Sequence, residues 1–292
     1  MAMTLRTREQ QATFDAIVVE ATELRPLPVI AVRLLEMAAN ERFSAQDLAL
    51  TIGTDQALTA KILRMANSSF YGMPKRATSV RNAVVLLGFR QVRALALAAC
   101  MIDAGGSVDQ GVMDYEQFWR NSLIVGMFAQ ILAEADGQER EVAFTAGVLH
   151  NIGRLSLAQR RTKAFDALAR FARSTAQPMD EVERMHLGFS DADLGAAIAR
   201  RWAFPEVLCD AVAHHAAPPD SIPSPHDLDS IVARARRIAR ACGISDTVDL
   251  PAPGTPELEW EEPRVARLLA RAGGLEGVLE WSDSFLEYSA AA

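Results

Sequence analysis

The sequence predicts an all-α protein, and three observations support this prediction. Helix-favouring Ala, Leu, Arg, Glu and Met abound, whereas Tyr, Thr and Ile are sparse, and unbranched side chains lose little rotamer freedom in a helix. Apolar residues recur at helical spacing along most of the chain, and caps or breakers separate the periodic segments. Half of the 292 residues are hydrophobic, so the chain can bury a sizeable core.

The first two predicted helices flank a bend that proline imposes. Residues 9–23 and 29–39 each place apolar residues on one side, and Pro26 and Pro28 lie between them. Proline has no amide donor and restricts the residue before it. The chain is therefore expected to turn between these two helices.

Side-chain caps mark where the next helices begin. Ser44, Asp55 and Ser79 each precede an apolar stretch, where their oxygens can accept hydrogen bonds from the free amides of a first helical turn. The helices predicted here span residues 45–52, 55–67, 79–88 and 91–102. Gly105-Gly106-Ser107 then forms a break that predicts a boundary between two lobes.

The second lobe is predicted to contain the larger set of helices. These helices span residues 112–134, 139–159, 162–175, 178–186, 190–202, 205–215 and 227–242. The helix over 139–159 is distinctive because Ala143, Gly147 and His150 share one face. Small residues on that face allow another helix to approach closely and leave room beside His150.

The end of the chain, residues 245–292, has a different character and is predicted to form a C-terminal helical tail. Prolines between positions 251 and 256 predict a stiff, non-helical connector. Two short helices with apolar faces are predicted after it, over 263–272 and 275–287. These faces would dock on the body of the protein.

Charge is distributed unevenly along the chain. The formal net charge is −7 and its excess lies in the tail, whereas residues 61–102 hold several Lys and Arg and no acidic side chain. One basic face and one acidic tail are expected. The acidic segment 257–262 would either fold back on the basic stretch 61–93 and compete with a partner, or belong to a stabilising appendage.

The protein is expected to be cytoplasmic. Its N-terminal residues lack an apolar signal region, and no apolar run approaches the roughly 20 residues needed to cross a bilayer. Cys100, Cys209 and Cys242 have no paired spacing that would indicate a zinc or redox motif. They are interpreted as reduced thiols within apolar helices.

Several short motifs occur in an order and spacing that resemble a known family. They are Leu27-Pro28, the run from Asp55 to Ser68, Leu86-Leu87-Gly88, Gly147-Val148-Leu149-His150-Asn151-Ile152-Gly153, Arg201-Trp202-Ala203-Phe204-Pro205 and His214-His215. Together they resemble the HDOD family, a bacterial signalling family and a degenerate relative of the HD phosphohydrolases. The resemblance covers roughly residues 20–243. We expect one HDOD domain over residues 10–244, with a helical lobe at 10–104 and an HD-like lobe at 111–244.

In HD phosphohydrolases, histidines and carboxylates from several helices hold divalent ions that neutralise phosphate charge and activate water. The corresponding pocket of this chain is expected to comprise Asn121, His150, Asn151, Asp191, His214, His215 and Arg236. The resemblance implies that four ligand positions have changed, to Asn121, Asn151, Asp191 and Arg236. An amide lacks the charge of a carboxylate, and a guanidinium repels a divalent ion. No metal, cofactor or catalysis is therefore expected.

The resemblance implies signal output through binding of a partner protein. A non-catalytic output or scaffold module is expected, using the first lobe and the groove between lobes. The candidate surface residues are Asn67, Tyr71, Arg76 and Arg90.

Two alternatives stay open. One is a divergent metal-dependent phosphohydrolase or phosphodiesterase that acts on a nucleotide or cyclic dinucleotide through His150, Asp191, His214 and His215. The other is nucleic-acid binding, because residues 47–67 fit a helix-turn-helix with basic neighbours. The apolar Leu58 and Ile62 of its second helix and the acidic net charge oppose that alternative.

Overall fold

The computed structural model describes residues 6–23, 27–39, 42–68, 70–72, 76–105, 111–218, 221–222, 224, 226–246, 248 and 262–290. Within these ranges, all regular secondary-structure elements are helices. The predicted all-α class is therefore confirmed. No helix among the described residues is long and apolar enough to cross a membrane.

The first lobe contains helices α1 to α6. They are α1 (Arg8–Glu23), α2 (Val29–Ala39), α3 (Ala45–Gly53), α4 (Gln56–Ala66), α5 (Val80–Leu87) and α6 (Phe89–Gly105). The three predicted caps are confirmed, since Ser44, Asp55 and Ser79 each accept a hydrogen bond from the first turn of α3, α4 and α5. Helix α6 is buried along most of its length and packs against α2, α4 and α5.

The second lobe contains α7 to α14. They are α7 (Tyr115–Asp136), α8 (Arg140–Leu149), α9 (Ile152–Arg160), α10 (Thr162–Thr175), α11 (Met179–Leu187), α12 (Asp191–Arg201), α13 (Glu206–His214) and α14 (Leu228–Ala241). Helices α7 and α8 pack closely because Gly126 of α7 faces Gly147 of α8. A Cβ on Gly147 would lie 2.6 Å from the Cα of Gly126.

The prediction of one helix over 139–159 is wrong. Helix α8 ends at Leu149 and α9 begins at Ile152, with His150 and Asn151 in the turn between them. The turn lets α9 leave the axis of α8 and lie against α12. The packing of α9 on α12 therefore stabilises the turn more than the helical periodicity of the segment favours one continuous helix.

The tail packs on the body through α15 (Pro263–Arg271) and α16 (Gly274–Ala290). Val265, Val278 and Trp281 are buried, and the Trp281 ring contacts aromatic rings of the body. The predicted docking of the apolar faces is therefore confirmed. Glu262 is exposed, while residues 257–261 lie outside the described part of the chain, so competition with a partner stays a prediction.

The three cysteines are free thiols. Cys100 and Cys209 are buried, and Cys242 is partly buried. Burial raises the pKa of the Cys100 thiol to about 12. The predicted assignment of all three as unpaired thiols is confirmed, and Cys100 stays a neutral thiol at physiological pH.

Candidate functional site

The predicted pocket lies where the α8–α9 turn meets the start of α12 and the end of α13. The rings of His150 and His215 meet edge to face, with centroids 5.1 Å apart. His215 Nε2 lies 3.6 Å from Asp191 Oδ2. All three side chains are almost completely buried, so the structure brings together residues that are far apart in sequence.

Each of the two histidine rings is oriented by its own helix. His150 Nδ1 lies 2.6 Å from the carbonyl oxygen of Gly147, and His215 Nδ1 lies 2.7 Å from that of Val212. Because a carbonyl can only accept, each Nδ1 carries the proton and donates. Both Nε2 atoms then face the pocket, and neither has a hydrogen-bond partner among the described residues.

His214 faces away from the pocket. It is exposed, and its Nδ1 lies 3.0 Å from Asp229 Oδ2. Consecutive residues of a helix point about 100° apart, so one helix can direct only one of the two histidines into the pocket. Of the His214-His215 pair, only His215 belongs to the pocket.

The central residue of the pocket is Arg154, which was not predicted. Its side chain is completely buried, with Nη1 at 2.6 Å from Asp246 Oδ2 and Nη2 at 3.3 Å from Asp191 Oδ2. The guanidinium therefore bridges two buried carboxylates. The available signal in the sequence was a single charged residue within the apolar run Ile152–Ala158.

Asp246 belongs to residues 244–246, here called the strap, which follow α14 and lie across the pocket. Gln117 Nε2 donates to the carbonyl of Ser245 at 3.1 Å, and Asn121 Nδ2 donates to that of Ile244 at 3.4 Å. Asn151 Nδ2 contacts Asp246 Oδ2 at 3.4 Å. The two asparagines predicted at former ligand positions thus hold the strap through their amide groups.

Glu183 and Asp191 form a buried acidic pair with different protonation. Glu183 Oε2 accepts a hydrogen bond from the Asp191 amide at 2.7 Å. Burial, together with the Asp191 charge, raises the pKa of Glu183 well above its usual range. Burial also acts to raise the pKa of Asp191, but Arg154, His215 and Arg236 outweigh it and hold this pKa well below the usual range. The two pKa values are thus shifted in opposite directions, toward the ionised form of Asp191 and the protonated form of Glu183.

Arg236 and His150 complete the electrostatics of the pocket. Arg236 is buried on α14, and its charge acts on both Asp191 and His150. Burial, followed by the nearby His215 and Arg236, lowers the pKa of His150 well below its usual range. His150 is therefore neutral, and the pocket contains two arginines opposite two carboxylates.

The residues of this pocket do not fit a divalent metal ion. Within the described ranges, no three His, Cys, Asp or Glu side chains are arranged as a metal site. The two ionised carboxylates that would be ligands both contact Arg154. A divalent ion placed among these groups would be repelled by the guanidinium at short range.

The four candidate surface residues have unequal exposure. The Asn67 amide is exposed but makes two hydrogen bonds with the backbone of Ala77, which join the end of α4 to the segment before α5. The Tyr71 hydroxyl accepts from Gln91 at 3.2 Å, and burial raises its pKa. Arg76 and Arg90 are exposed. Arg76 and Arg90 are thus the two that present charge to solvent.

The predicted basic face is smaller than the sequence suggested. Lys61 is buried and its ammonium group contacts the Asp103 carboxylate at 2.6 Å. Arg90 forms an ion pair with Glu139 at 3.1 Å. The basic face predicted over residues 61–93 is therefore reduced, because tertiary contacts pair the charges of Lys61 and Arg90.

The helix-turn-helix alternative depends on the exposed side of α4. That helix buries Leu58, Ile62 and Met65 against the lobe. Its exposed residues include two without side-chain groups for reading base edges, Ala57 and Ala60, and two with such groups, Gln56 and Arg64. Nucleic-acid binding stays a prediction.

Comparison with known proteins connects this architecture to a family. The HDOD domain model matches residues 24–218. A crystal structure of an HDOD domain protein from Geobacter sulfurreducens aligns with a TM-score of 0.74 and 23% identity, covering 96% of this chain and 97% of that one. A protein from Shewanella amazonensis SB2B that carries the name of a phosphohydrolase aligns with a TM-score of 0.69 and 27% identity, covering 94% and 97%.

A curated relative extends the comparison to a longer protein. An uncharacterized protein of Treponema pallidum (strain Nichols) is 26% identical over 200 residues. The match covers 67% of this chain and 38% of that protein, so the chain spans well under half of the relative. Because the HDOD model matches more than half of the sequence and the fold agrees, the chain belongs to the HDOD family.

Proposed function

We propose that this chain is a non-catalytic signal-transduction output or scaffold module that acts by binding a partner protein. The observation that carries the proposal is the position of Arg154 between Asp191 and Asp246. An HD-type reaction needs a cation with open coordination positions for water and phosphate. Here a guanidinium contacts the carboxylates, and it offers no such positions.

The charges of the pocket support this proposal. Arg154 and Arg236 carry two positive charges, the same formal charge as one divalent ion, and Asp191 and Asp246 carry two negative charges. The pKa values of Glu183 and His150 are shifted toward their neutral forms. The arginine charges thus face the carboxylates where a divalent ion would lie, which supports a structural role for the pocket.

The first lobe offers a surface suited to a partner. Leu50 on α3 and Val85 on α5 are 63% and 77% exposed, although both are large apolar residues. Helices α3 and α5 pack on each other, and Arg81 lies one turn before Val85 on α5. We call Leu50, Arg81 and Val85 the first-lobe patch, which suits a partner with apolar and acidic side chains.

The relatives support a modular role and also supply the second candidate. The Treponema match covers only part of a longer protein, as expected for a module combined with other segments. The Shewanella protein carries the name of a phosphohydrolase, and the inward-facing Nε2 atoms of His150 and His215 are the observation that favours this activity here. The two candidate functions predict different metal contents for the purified protein, which can be measured directly.

We expect the purified protein to retain no stoichiometric metal after incubation with excess Mn²⁺, Fe²⁺ or Zn²⁺ and desalting, and to hydrolyse bis(p-nitrophenyl) phosphate at the background rate. Arg154 and Arg236 oppose any divalent ion in the pocket. Elemental analysis and absorbance measure the two quantities. The His214→Ala variant is the control for ions held at the surface. A stoichiometric metal that survives in this variant, with hydrolysis that Asp191→Asn abolishes, would establish the phosphohydrolase instead.

Partner binding is tested with matched baits in a lysate of the native host. We expect the wild-type bait and Arg170→Glu, which changes an exposed residue of the second lobe, to enrich a common protein. Arg81→Glu should lose it, because charge reversal repels acidic side chains at the first-lobe patch. Mass spectrometry identifies the protein, and size-exclusion chromatography of the purified pair measures the complex. Equal capture by Arg81→Glu and wild type would refute this surface.

A further inference from the structure

A cleft lies in the groove between the two lobes. Its volume is about 510 Å³, and its lining comes from α2, α6, α8 and the start of α13. Leu35, Leu97, Val142 and Leu208 are among its apolar lining residues. The charged side chains of Arg90 and Glu139 also line it. The volume and position are typical of small-molecule sites, which commonly form between structural units.

Among the described residues that line the cleft, Arg93 is a cation without an ion-paired carboxylate. Arg93 lines the cleft and is partly buried, and its Nη1 donates to the Met37 carbonyl at 3.1 Å. Burial, with the nearby charge of Arg90, lowers the pKa of Arg93. Among the described residues, no carboxylate forms an ion pair with it. The guanidinium is thus partly desolvated, and no ion pair within the described part of the chain offsets its charge.

The acidic residues whose charges act on Arg93 already form ion pairs with other arginines. Glu139 and Glu141 both act on the Arg93 charge, but Glu139 pairs with Arg90 at 3.1 Å and Glu141 with Arg140 at 2.9 Å. A partly desolvated cation is costly unless an anion compensates it. An anion entering the cleft would therefore gain a charge-assisted hydrogen bond with Arg93.

We propose that the interlobe cleft binds a small amphipathic monocarboxylate, with its apolar body against Leu97, Val142 and Leu208 and its carboxylate on Arg93. The single Arg93 guanidinium favours one negative charge. The apolar lining favours a hydrocarbon or aromatic body. Because both lobes line the cleft, the ligand contacts both at once and stabilises their packed arrangement.

The proposal is tested by isothermal titration calorimetry on the full-length protein with decanoate and 4-phenylbutyrate, and with decyltrimethylammonium as the cation of matched apolarity. We expect at least one carboxylate to bind and the cation not to bind. Arg93→Met keeps an apolar stem and removes the charge, so it should weaken carboxylate binding at least tenfold. Arg170→Met removes an exposed charge that does not line the cleft and should leave the affinity unchanged.

A second variant keeps the test independent of Arg93. Val142→Trp fills the cleft from the second lobe and should also weaken binding at least tenfold, while thermal denaturation shows whether each variant is folded. No binding of either carboxylate, equal binding of the cation, or full affinity in a folded Arg93→Met or Val142→Trp variant would each overturn the proposal. Binding is measured without a partner protein, so its failure leaves the proposed output function to be judged by its own experiments.

Discussion

Replacing Arg154 by Met should lower the free energy of unfolding by about 3–5 kcal/mol, as expected when one member of a buried ionic network is removed. The change leaves Asp191 and Asp246 buried without the cation that contacts both of them. Met keeps much of the apolar volume, so lost charge rather than lost packing dominates. Urea denaturation at neutral pH, followed by circular dichroism, measures the effect.

Arg161→Met is the matched control for this prediction. Arg161 uses both of its terminal nitrogens to contact one carboxylate, that of Glu20, and both side chains are about one-third exposed. Ion pairs with this exposure typically contribute about 0–1 kcal/mol. If both variants lost the same free energy of unfolding, burial of the Arg154 network would not be the source of its contribution to stability.

Asp246 of the strap should be energetically coupled to Arg154. In Arg154→Met, adding Asp246→Asn removes one of the two uncompensated carboxylates. The double variant should therefore be less destabilised than the sum of the two single changes, because the residues act as one network. Additive losses would place Asp246 outside the network.

Replacing Gly153 by Ala should destabilise the protein by about 3 kcal/mol or more, the upper end of the range for overpacking. A Cβ at this position would overlap the carbonyl oxygen of Asp191 and lie 2.6 Å from the Gly195 amide nitrogen. These are backbone atoms, which cannot rotate aside as a side chain would. Helices α9 and α12 must therefore separate, which also moves Arg154 away from Asp191.

Gly53→Ala is the control for the intrinsic effect of the substitution. Gly53 is the last residue of α3, and an added Cβ would meet no atom within 4 Å. Alanine favours helix over glycine by about 1 kcal/mol or less, so this variant should be neutral or slightly more stable. Thermal denaturation compares the two variants, and a stable Gly153→Ala protein would contradict the close packing of α9 on α12.

Local features of this fold were predictable from the sequence. Ser44, Asp55 and Ser79 begin helices in the structure as predicted, because a cap acts on amides within its own first turn. The small residue Gly147 was predicted to admit a neighbouring helix, and it does. Helical periodicity was equally reliable wherever no distant contact opposed it.

The composition of the pocket was only partly predictable. His150, Asn151, Asp191, His215 and Arg236 were anticipated through the family resemblance, and the structure brings them together. Arg154 and Asp246 were missed. Their contact joins positions 92 residues apart, and nothing local in either segment indicates that the two side chains meet.

The sequence by itself determined the helical class, most helix boundaries, the caps and the family, because these depend on interactions within a few residues or on motif order. Only the tertiary structure decided that the chain turns at His150 and Asn151, that His215 rather than His214 enters the pocket, and that Arg154 bridges two carboxylates there. Each of these outcomes depends on which distant segments share the buried space. Burial then determines how strongly the charged groups in that space interact with one another.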